Sequence, residues 1–386
     1  ASVLGGLVAF VVLSWLLARA PRRTGRDPDG YRVDRRRFVV GASAVAASSL
    51  AAAAAGRWLR EQGRAAAARL SVVLPRAQRP LPPLDAAATV QAPGVSPFFT
   101  PNERFYRIDT ALSIPQVDLS AWRLKVTGMV RTPLILTWEE LLERPMIEAD
   151  VTIACVSNEV GGDLVGTARW LGCRLDDLLD DAGVLPGAEQ VVGRSVDGFT
   201  AGFPTTVLDG RDALIAIAMN GEPLPLRHGF PARLVVPGLY GYVSATKWLS
   251  SIELTTFDAL QGYWIPRGWA VEAPVKTQSR IDTPRSGRSV PAGRPVTIGG
   301  VAWAPMRGVR AVEVRIDRGE WIAADLGAEH AATTWRQWVH RWTPTPGEHV
   351  IEVRATDGTG AAQPGERTPV APDGATGWHA VTVTAV

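Results

Sequence analysis

The fold of this chain is decided by the stretch VTIACVSNEVGGDLVGTARWLG, residues 151–172. Its alternation places Val151, Ile153 and Cys155 on one face of a predicted strand. The following Ser157 and Asn158 predict a turn, so the strand ends at a thiol. Cys155 is one of only two cysteines in 386 residues, and its position therefore needs an explanation.

The residue types alone leave four interpretations of Cys155 open. A lone cysteine is most commonly a buried structural residue. A disulfide to Cys173 is permitted if the domain lies outside the cytoplasm. A nucleophile would need a base, and His228 is the only histidine before residue 330. The fourth interpretation is a single thiolate ligand to a soft metal whose other ligands come from an organic cofactor.

The composition excludes several common classes of protein. Lys and Arg together number 41, the net charge is +3, and no basic run with interleaved aromatic residues is present, so no nucleic-acid partner is predicted. Two cysteines exclude a disulfide scaffold and a four-cysteine zinc or iron–sulfur site. The P-loop, G-x-G-x-x-G, G-x-S-x-G and H-E-x-x-H motifs are missing, so the common nucleotide-binding, hydrolase and zinc-protease signals are absent.

Two uncharged segments flank an Arg-rich loop near the start of the chain. Residues 1–20 are predicted to form a transmembrane helix, because they are apolar and almost free of charge. Residues 21–37 contain seven Arg and predict a cytoplasmic loop. Residues 38–56 predict either a second transmembrane helix or a twin-arginine-like signal, since DRRRFVVGASA contains Arg-Arg-x-Phe. Both interpretations predict attachment to the cell membrane, with everything after about residue 57 extracytoplasmic.

A juxtamembrane linker is predicted over residues 57–95, where the sequence is first rich in Arg and Ala and then in Pro. The body of the chain, residues 96–288, mixes short β-like runs with amphipathic helices and predicts an α+β fold. Thr137 is predicted to be a helix N-cap and Gly183 a helix C-cap.

The last part of the chain, residues 289–386, alternates apolar and polar residues between turn signals. This pattern predicts an immunoglobulin-like β-sandwich of roughly 100 residues. Trp335, Trp338 and Trp342 are predicted to pack in its core and sheets rather than to bind a ligand.

Three segments occur in an order that is specific to one family. They are FYRIDTALSIP (105–115), TIACVSNEVGGDLVGTARWLGCRLDDLL (152–179) and MNGEPLPLRHGFPARLVVPGLYGYVSATKWLSSIEL (219–254). Together they resemble the sulfite oxidase family of molybdopterin enzymes. Its members show Cys-x-x-Asn after a strand, a T-A-R-W-x-G-x-x-L helix start, an M-N-G-x-P-L-P-x-x-H-G-F-P-x-R-x-V-V-P-G segment and a closing V-K-W-L. The resemblance covers about residues 96–288, and it implies a molybdopterin-binding domain followed by a dimerisation domain, hence a homodimer.

The resemblance also implies a set of site residues. Cys155 matches the thiolate that binds molybdenum beside the two dithiolene sulfurs of the pterin. Arg107 matches an Arg beside the metal, with a catalytic role in orienting an oxyanion. The other matches are cofactor contacts: Phe105, Tyr106, Ile108, Asp109, Asp197, His228, Arg233, Ala245, Thr246 and Lys247. Among these, His228 and Arg233 match contacts to the pterin phosphate, for which cationic donors are suited.

Some positions depart from the pattern of sulfite-oxidising members. Glu159 and Val160 stand where two basic residues usually follow the Cys-x-x-Asn motif. Trp269 stands at about the position of an active-site Tyr, and Asp109 replaces a His. Because positive charge and a phenol are lost, sulfite is predicted to be a poor substrate.

The resemblance therefore implies a molybdenum-dependent oxidoreductase with the molybdenum–molybdopterin cofactor. It would catalyse two-electron oxygen-atom transfer on a small molecule outside the cytoplasm. No haem motif is present, so a separate electron-transfer partner is expected. One alternative is a sulfoxide or N-oxide reductase of the methionine-sulfoxide-reductase type. An alternative of another class is a membrane-tethered binding module that has lost the metal.

Overall fold

A computed structural model describes residues 30–386, except for the side chains of residues 30–39, 42, 44–46 and 57–62. The chain divides between Ala67 and Ala68 into two compact units. A long helix, α1 (Gly30–Ser71), contains the predicted segment 38–56. Within the described part of the chain, no helix combines the length and the apolar character needed to cross a membrane. A transmembrane helix at residues 38–56 is thus not confirmed. The helix predicted at residues 1–20 lies outside the described residues.

The second unit begins with a catalytic half made of two sheets. Its strands are β1 (Leu124–Gly128), β2 (Leu134–Leu136), β3 (Met146–Ala154), β4 (Val165–Arg174), β5 (Gln190–Ser195), β6 (Thr200–Pro204), β7 (Leu214–Met219), β8 (Glu222–Pro223), β9 (Arg233–Val235) and β10 (Leu249–Thr255). One sheet has the order β2-β1-β10-β5-β6, and the other has the order β3-β4-β7-β8 with β9 paired to β7. Strands predominate, and the helices of this half are few and short, so the α+β expectation holds only in part.

The short helices of this half are α2 (Trp138–Leu142), α3 (Leu175–Ala182) and α4 (Gly241–Ser244). Thr137 caps α2 as predicted: its hydroxyl accepts from the Glu140 amide at 3.1 Å, and the Glu140 carboxylate accepts from the Thr137 amide at 2.7 Å. Gly183 ends α3 with φ +67°, as its prediction as a C-cap requires. The T-A-R-W segment is a strand as far as Arg174, and the helix begins only at Leu175.

The pairing of β3 with β4 shows whether Cys155 and Cys173 can form a disulfide. Met146 lies opposite Cys173 and Ala154 lies opposite Val165. Cys155 directly follows β3, nine residues along the chain from Met146, which corresponds to about 30 Å of extended strand. Both thiols are free and buried, so a disulfide between Cys155 and Cys173 is excluded.

The C-terminal half is a sandwich of two sheets. Its strands are β11 (Gln278–Thr283), β12 (Ser289–Val290), β13 (Val296–Trp303), β14 (Val309–Ile316), β15 (Ile322–Ala323), β16 (Asp325–Leu326), β17 (Arg336–Trp342), β18 (Gly347–Asp357) and β19 (His379–Ala385). The sheet orders are β11-β13-β17-β16 and β12-β19-β18-β14-β15. One apolar core joins both sheets, and it includes Ile298 and Trp338 from one sheet and Val353 and Val383 from the other. The classification of this sandwich as immunoglobulin-like stays a prediction.

Sheet pairing moves the boundary between the two halves. Strand β11 pairs with β13, so the sandwich begins at Gln278 rather than at the predicted residue 289. The alternation of Gln278–Thr283 is short and follows an irregular loop, which explains why the sequence pattern did not separate it. Trp338 is buried and Trp342 is partly buried in the core of the sandwich, as predicted. Trp335 is also buried, but in the apolar cluster that includes Phe98 and Trp122.

The sandwich holds the strand that leads to Cys155. The Thr152 amide donates to the Thr333 carbonyl at 3.0 Å, and the Trp335 amide donates to the Thr152 hydroxyl at 2.7 Å. Next to them, Asp150 lies 2.6 Å from His330. These contacts fix β3 from the C-terminal side, and β3 in turn fixes the thiol.

Candidate active site

A cavity lies where the end of β3 meets five other parts of the catalytic half: residues 105–110, 195–199, 228–233, 241–248 and 264–269. Ten of the predicted site residues line it: Phe105, Tyr106, Ile108, Asp109, Cys155, Asp197, His228, Arg233, Ala245 and Lys247. Arg107 and Thr246 are not among the lining residues. Segments that are distant in sequence therefore meet around one thiol.

Cys155 is held by a closed loop. Its amide donates to the Leu164 carbonyl at 2.9 Å, and its carbonyl accepts from the Asn158 amide at 3.1 Å. The buried Asn158 side chain accepts from the Leu164 amide at 2.8 Å. The Asn of the Cys-x-x-Asn motif therefore closes the loop behind the thiol.

The sandwich supports this loop from outside. Gly161 has φ +80°, and a Cβ atom at that position would overlap the imidazole of His379. Arg280 donates to the Gly162 carbonyl at 2.9 Å. A glycine is required at residue 161 for both its backbone conformation and its close packing.

The Cys155 thiol is mostly buried. Burial raises the pKa of Cys155, and hydrogen bonds from Ser157 offset only part of this rise. A thiol in such a place stays protonated unless a nearby cation stabilises the thiolate. A metal ion is such a cation, because it deprotonates a coordinating thiol.

Two parts of the motif segment 219–254, around Gly229 and around Lys247, lie side by side. Gly229, with φ +110°, is so close to Lys247 that a Cβ atom would lie 3.1 Å from the Lys247 Cα. The Leu234 amide donates to the Thr246 carbonyl at 2.9 Å. Thr246 is fully buried and its hydroxyl donates to the Gly193 carbonyl at 3.4 Å. Thr246 thus contributes to the packing under the cavity and does not line it.

Arg233 is a buried cation that lines the cavity. Its guanidinium donates to the His228 carbonyl at 3.2 Å and lies 5.1 Å from the centre of the Trp170 ring. Within residues 68–386 no carboxylate forms an ion pair with it. Burial lowers the pKa of Arg233 to about 10, so the group is still charged at neutral pH. A buried and unpaired guanidinium suits an anionic partner such as a phosphate.

His228 lies next to Arg233 and is neutral. Its Nε2 atom lies 2.9 Å from the Asn102 carbonyl, to which it donates a hydrogen bond. Burial, together with the smaller effect of the Arg233 charge, lowers the pKa of His228 to about 4. Asn102 is itself held by the Glu222 carboxylate at 2.6 Å, and Glu222 pairs with Arg69 at 2.7 Å. The hydrogen-bonded chain of Asn102, Glu222 and Arg69 therefore fixes the orientation of the His228 imidazole.

Asp109 connects two cations. Its carboxylate accepts from the Arg107 Nε atom at 2.7 Å and from the Lys247 Nζ atom at 2.7 Å. Burial raises the pKa of Asp109, but the hydrogen bonds from Arg107 and Lys247 outweigh this effect and lower the pKa overall. Burial lowers the pKa of Lys247 to about 8. Arg107 is thus paired with Asp109 beside the cavity without lining it, and its predicted catalytic role stays a prediction.

An aromatic wall completes the cavity. Tyr242 and Trp269 have ring centres 5.7 Å apart, and Trp269 and Trp264 have ring centres 6.2 Å apart. The Tyr242 hydroxyl donates to the Ala270 carbonyl at 2.6 Å, which joins α4 to the Trp-containing loop. Of these three, only Trp269 was singled out from the sequence, although YWIPRGWA is dense in aromatic residues. Glu159 and Val160 do not line the cavity. Their difference from the two basic residues of the family pattern therefore does not change the charge of the cavity wall.

Comparison with known proteins agrees with this geometry. Residues 111–264 match the family described as "oxidoreductase molybdopterin binding domain". Sulfite oxidase of Gallus gallus is 30% identical over 326 residues, which cover 71% of this chain and 70% of that protein. This chain belongs to the sulfite oxidase family of molybdopterin-dependent oxidoreductases. It is therefore an enzyme, and its cofactor is the molybdenum cofactor.

Two further proteins show how much of the chain is similar to known relatives. Mitochondrial sulfite oxidase of Homo sapiens is 29% identical over 323 residues, but this chain spans only 58% of that protein. The crystal structure of the sulfane dehydrogenase SoxCD from Paracoccus pantotrophus superposes with a TM-score of 0.61 at 24% identity, covering 70% of this chain and 75% of that one. This structural likeness shows the fold alone.

The residues of the cavity fit the molybdenum cofactor. Cys155 offers one sulfur ligand, and the buried, unpaired Arg233 offers a cation for the phosphate of the pterin. His228 lies beside Arg233, and Lys247 reaches the cavity from the next segment. Cys155 and Arg233 would hold the group, while Phe105 and Tyr106, whose stacked rings have centres 5.4 Å apart, would flank it.

Proposed function

We propose that this enzyme transfers an oxygen atom to or from a small, uncharged molecule in a two-electron reaction. One observation carries the proposal. The cavity that contains Cys155 has an aromatic wall, and its lysine, Lys247, is already paired with Asp109. An uncharged substrate gains contact with the rings. A dianion such as sulfite would meet Asp109, and the remaining cation, Arg233, is the one that suits the cofactor phosphate.

The residues of the chain would act by binding and orientation. When bound, the molybdenum cofactor supplies two-electron redox chemistry coupled to oxygen-atom transfer. Cys155 would hold the metal and Arg233 would hold the phosphate, with His228 packed beside Arg233. Tyr242, Trp264 and Trp269 would exclude water and orient the apolar part of the substrate.

A second candidate is reduction of a sulfoxide or an N-oxide, and the same wall favours it. Such substrates carry a polar oxygen and apolar substituents without a net charge, which matches a cavity lined by both charged and aromatic groups. The metal-free binding module is disfavoured, because the chain belongs to an enzyme family and keeps Cys155 in the cavity.

A comparison of two assays tests this proposal. Purified, molybdenum-loaded protein would be given sulfite with ferricyanide as electron acceptor, and methyl aryl sulfoxides with reduced viologen as electron donor. We expect kcat/KM for a sulfoxide to exceed that for sulfite by about tenfold or more. Efficient turnover of sulfite at micromolar concentration would overturn the proposal. The Trp269→Ala variant should raise KM for the sulfoxide while the molybdenum content stays unchanged.

We also propose that the enzyme is attached to the cell membrane with its catalytic domain outside the cytoplasm. The apolar residues 1–20 and the seven Arg of residues 21–37 support this orientation. A reporter fused after residue 95 should be active only if it is one that works outside the cytoplasm. Activity of a cytoplasm-dependent reporter at that position would contradict the proposal.

We further propose two protein partners for this enzyme: an electron-transfer protein and a second copy of the same chain. A two-electron reaction needs an electron donor or acceptor, and an electron-transfer protein would fill this role. Residues 289–386 would join two copies into a homodimer. Light scattering of the detergent-solubilised chain should give twice the monomer mass of 41.3 kDa, and a monomeric mass would contradict the dimer.

A further inference from the structure

Three charged side chains form a compact group beside the Cys155 cavity: Arg107, Asp109 and Lys247. Asp109 and Lys247 line the cavity, yet their side chains are only 8% and 10% exposed. Asp109 accepts hydrogen bonds from Arg107 Nε at 2.7 Å and Nη2 at 3.2 Å, and from Lys247 Nζ at 2.7 Å. Each carboxylate oxygen therefore has a cationic donor.

The two cations are turned towards this carboxylate. Lys247 donates a further hydrogen bond to the Ile108 carbonyl at 2.9 Å, so two of its three donors bind the protein itself. Arg107 uses two of its nitrogens on Asp109. An anion that entered the cavity would have to displace the Asp109 carboxylate or lie beside it, and both arrangements are unfavourable.

Charge counting gives the same result. Four side chains with a formal charge line the cavity, and they are Asp109, Asp197, Arg233 and Lys247. Their formal charges sum to zero. Removing the charge of Asp109 would make the lining positive and would free the donors of two cations, whereas removing that of Asp197 would free none. Within the described residues, the only hydrogen bond to the Asp197 carboxylate comes from the Phe199 amide at 3.2 Å.

We propose that Asp109 is a specificity-determining residue that keeps anions out of the cavity and reserves it for uncharged substrates. This inference rests on the proposed function and names the residue responsible for its charge preference. It acts by pairing with Arg107 and Lys247, which would otherwise bind an oxyanion.

Sulfate binding tests the inference without using turnover. Sodium sulfate would be titrated by calorimetry, at constant ionic strength, into the full-length, cofactor-loaded protein. The isosteric Asp109→Asn variant should bind sulfate at least about tenfold more tightly than the wild type, because two cations lose their partner. The matched control Asp197→Asn should change the affinity by less than about twofold. Adding Lys247→Met to Asp109→Asn should remove most of the gain.

Several results would overturn the inference. One is unchanged sulfate affinity in Asp109→Asn, and another is an equal gain in Asp197→Asn. If Asp109→Asn fails to retain molybdenum, Lys247→Met is compared with the wild type. A paired lysine predicts the same weak sulfate binding in both proteins, so a clear loss of affinity in Lys247→Met would overturn the inference.

The outcomes separate this inference from the proposed function. Poor sulfite turnover by the wild type together with no gain in Asp109→Asn would leave the proposed function standing and would remove Asp109 as its cause. Efficient sulfite turnover by the wild type would overturn the proposed function, whatever the sulfate affinities are.

Discussion

Cys155 and Cys173 differ in what surrounds them, although both are buried. Cys155 lines the cavity, whereas Cys173 lies in the apolar core opposite Met146. Burial raises the pKa of Cys173 to about 12, so this thiol stays protonated and inert. Single substitutions should therefore separate a functional cysteine from a structural one.

We predict that Cys155→Ala abolishes turnover and lowers molybdenum content while changing the free energy of unfolding little. Cys173→Ala should keep the metal and turnover and lose about 1 kcal/mol of stability, since it removes one buried sulfur. Metal analysis and chemical unfolding of both variants provide the measurement. Full turnover in Cys155→Ala would show that the thiol has no role at the metal.

At the residue scale, the sequence motifs predicted most of the site. Ten of the predicted residues line one cavity, because the motif segments bring specific residue types to fixed positions. The pairing of Lys247 with Asp109 was not predicted, since it joins residues 138 positions apart and depends on tertiary packing. The pairing of Arg107 with Asp109, whose carboxylate also binds Lys247, was not predicted either, and the role of Arg107 beside the metal stays a prediction.

At the scale of elements, the loop of residues 155–164 depends on contact with β19. Gly161 touches His379, the first residue of that strand, at a position where the backbone has φ +80°. A side chain at Gly161 would be strained and would push the loop away from the sandwich. Because the same loop positions Cys155, packing and function are coupled there.

We predict that Gly161→Ala destabilises the fold by about 2–4 kcal/mol and lowers molybdenum content, since it adds backbone strain and a clash. The control is Gly210→Ala. Gly210 has φ +86°, but a methyl group at that position would meet no heavy atom within 4 Å, so only strain of about 1 kcal/mol is expected. Equal losses in both variants, measured by chemical unfolding, would show that contact with His379 is unimportant.

His379 should also give the fold a dependence on pH. Its Nδ1 atom accepts from the Ile281 amide at 2.9 Å, which requires an unprotonated nitrogen. Burial, together with the smaller effect of the Arg280 charge, lowers the pKa of His379 to about 4. Because the folded pKa lies below the unfolded value of about 6.5, the stabilising contribution is complete above pH 6.5 and is lost as the pH falls towards 4.

We therefore predict that the free energy of unfolding falls between pH 6.5 and pH 4, and less steeply in His379→Asn than in the wild type. The difference in slope should correspond to about one proton. His228, whose pKa is also lowered to about 4, contributes equally to both proteins and cancels in the comparison. Identical pH profiles would show that His379 is not held in its neutral form.

At the scale of the whole molecule, the sandwich supports the catalytic half directly. Thr333 and Trp335 bind β3, and Arg280 binds the loop after it. The pattern of apolar and polar residues predicted an α+β part and a β-rich part. It did not predict the contact between the sandwich and β3, because loops such as residues 330–335 carry no periodic signal. It also placed the boundary one strand too late, as β11 is short.

We predict that a chain ending at residue 277 does not retain molybdenum, since β3 and the Cys155 loop lose their C-terminal contacts. Metal content after purification checks this, and the milder Arg280→Met variant should retain an intermediate amount. A truncated chain that is monomeric but fully loaded would show that the sandwich serves only to join two copies.

Cys155 is expected to supply a sulfur ligand to molybdenum in a cavity built from distant segments of the chain. The proposed oxygen-atom transfer depends on this bond. X-ray absorption at the molybdenum edge tests it most directly, because it counts the sulfur atoms bound to the metal. We expect three sulfurs in the wild type, two from the pterin and one from Cys155, and two in the Cys155→Ser variant. The same number of sulfurs in both proteins would contradict the role of Cys155 as a ligand.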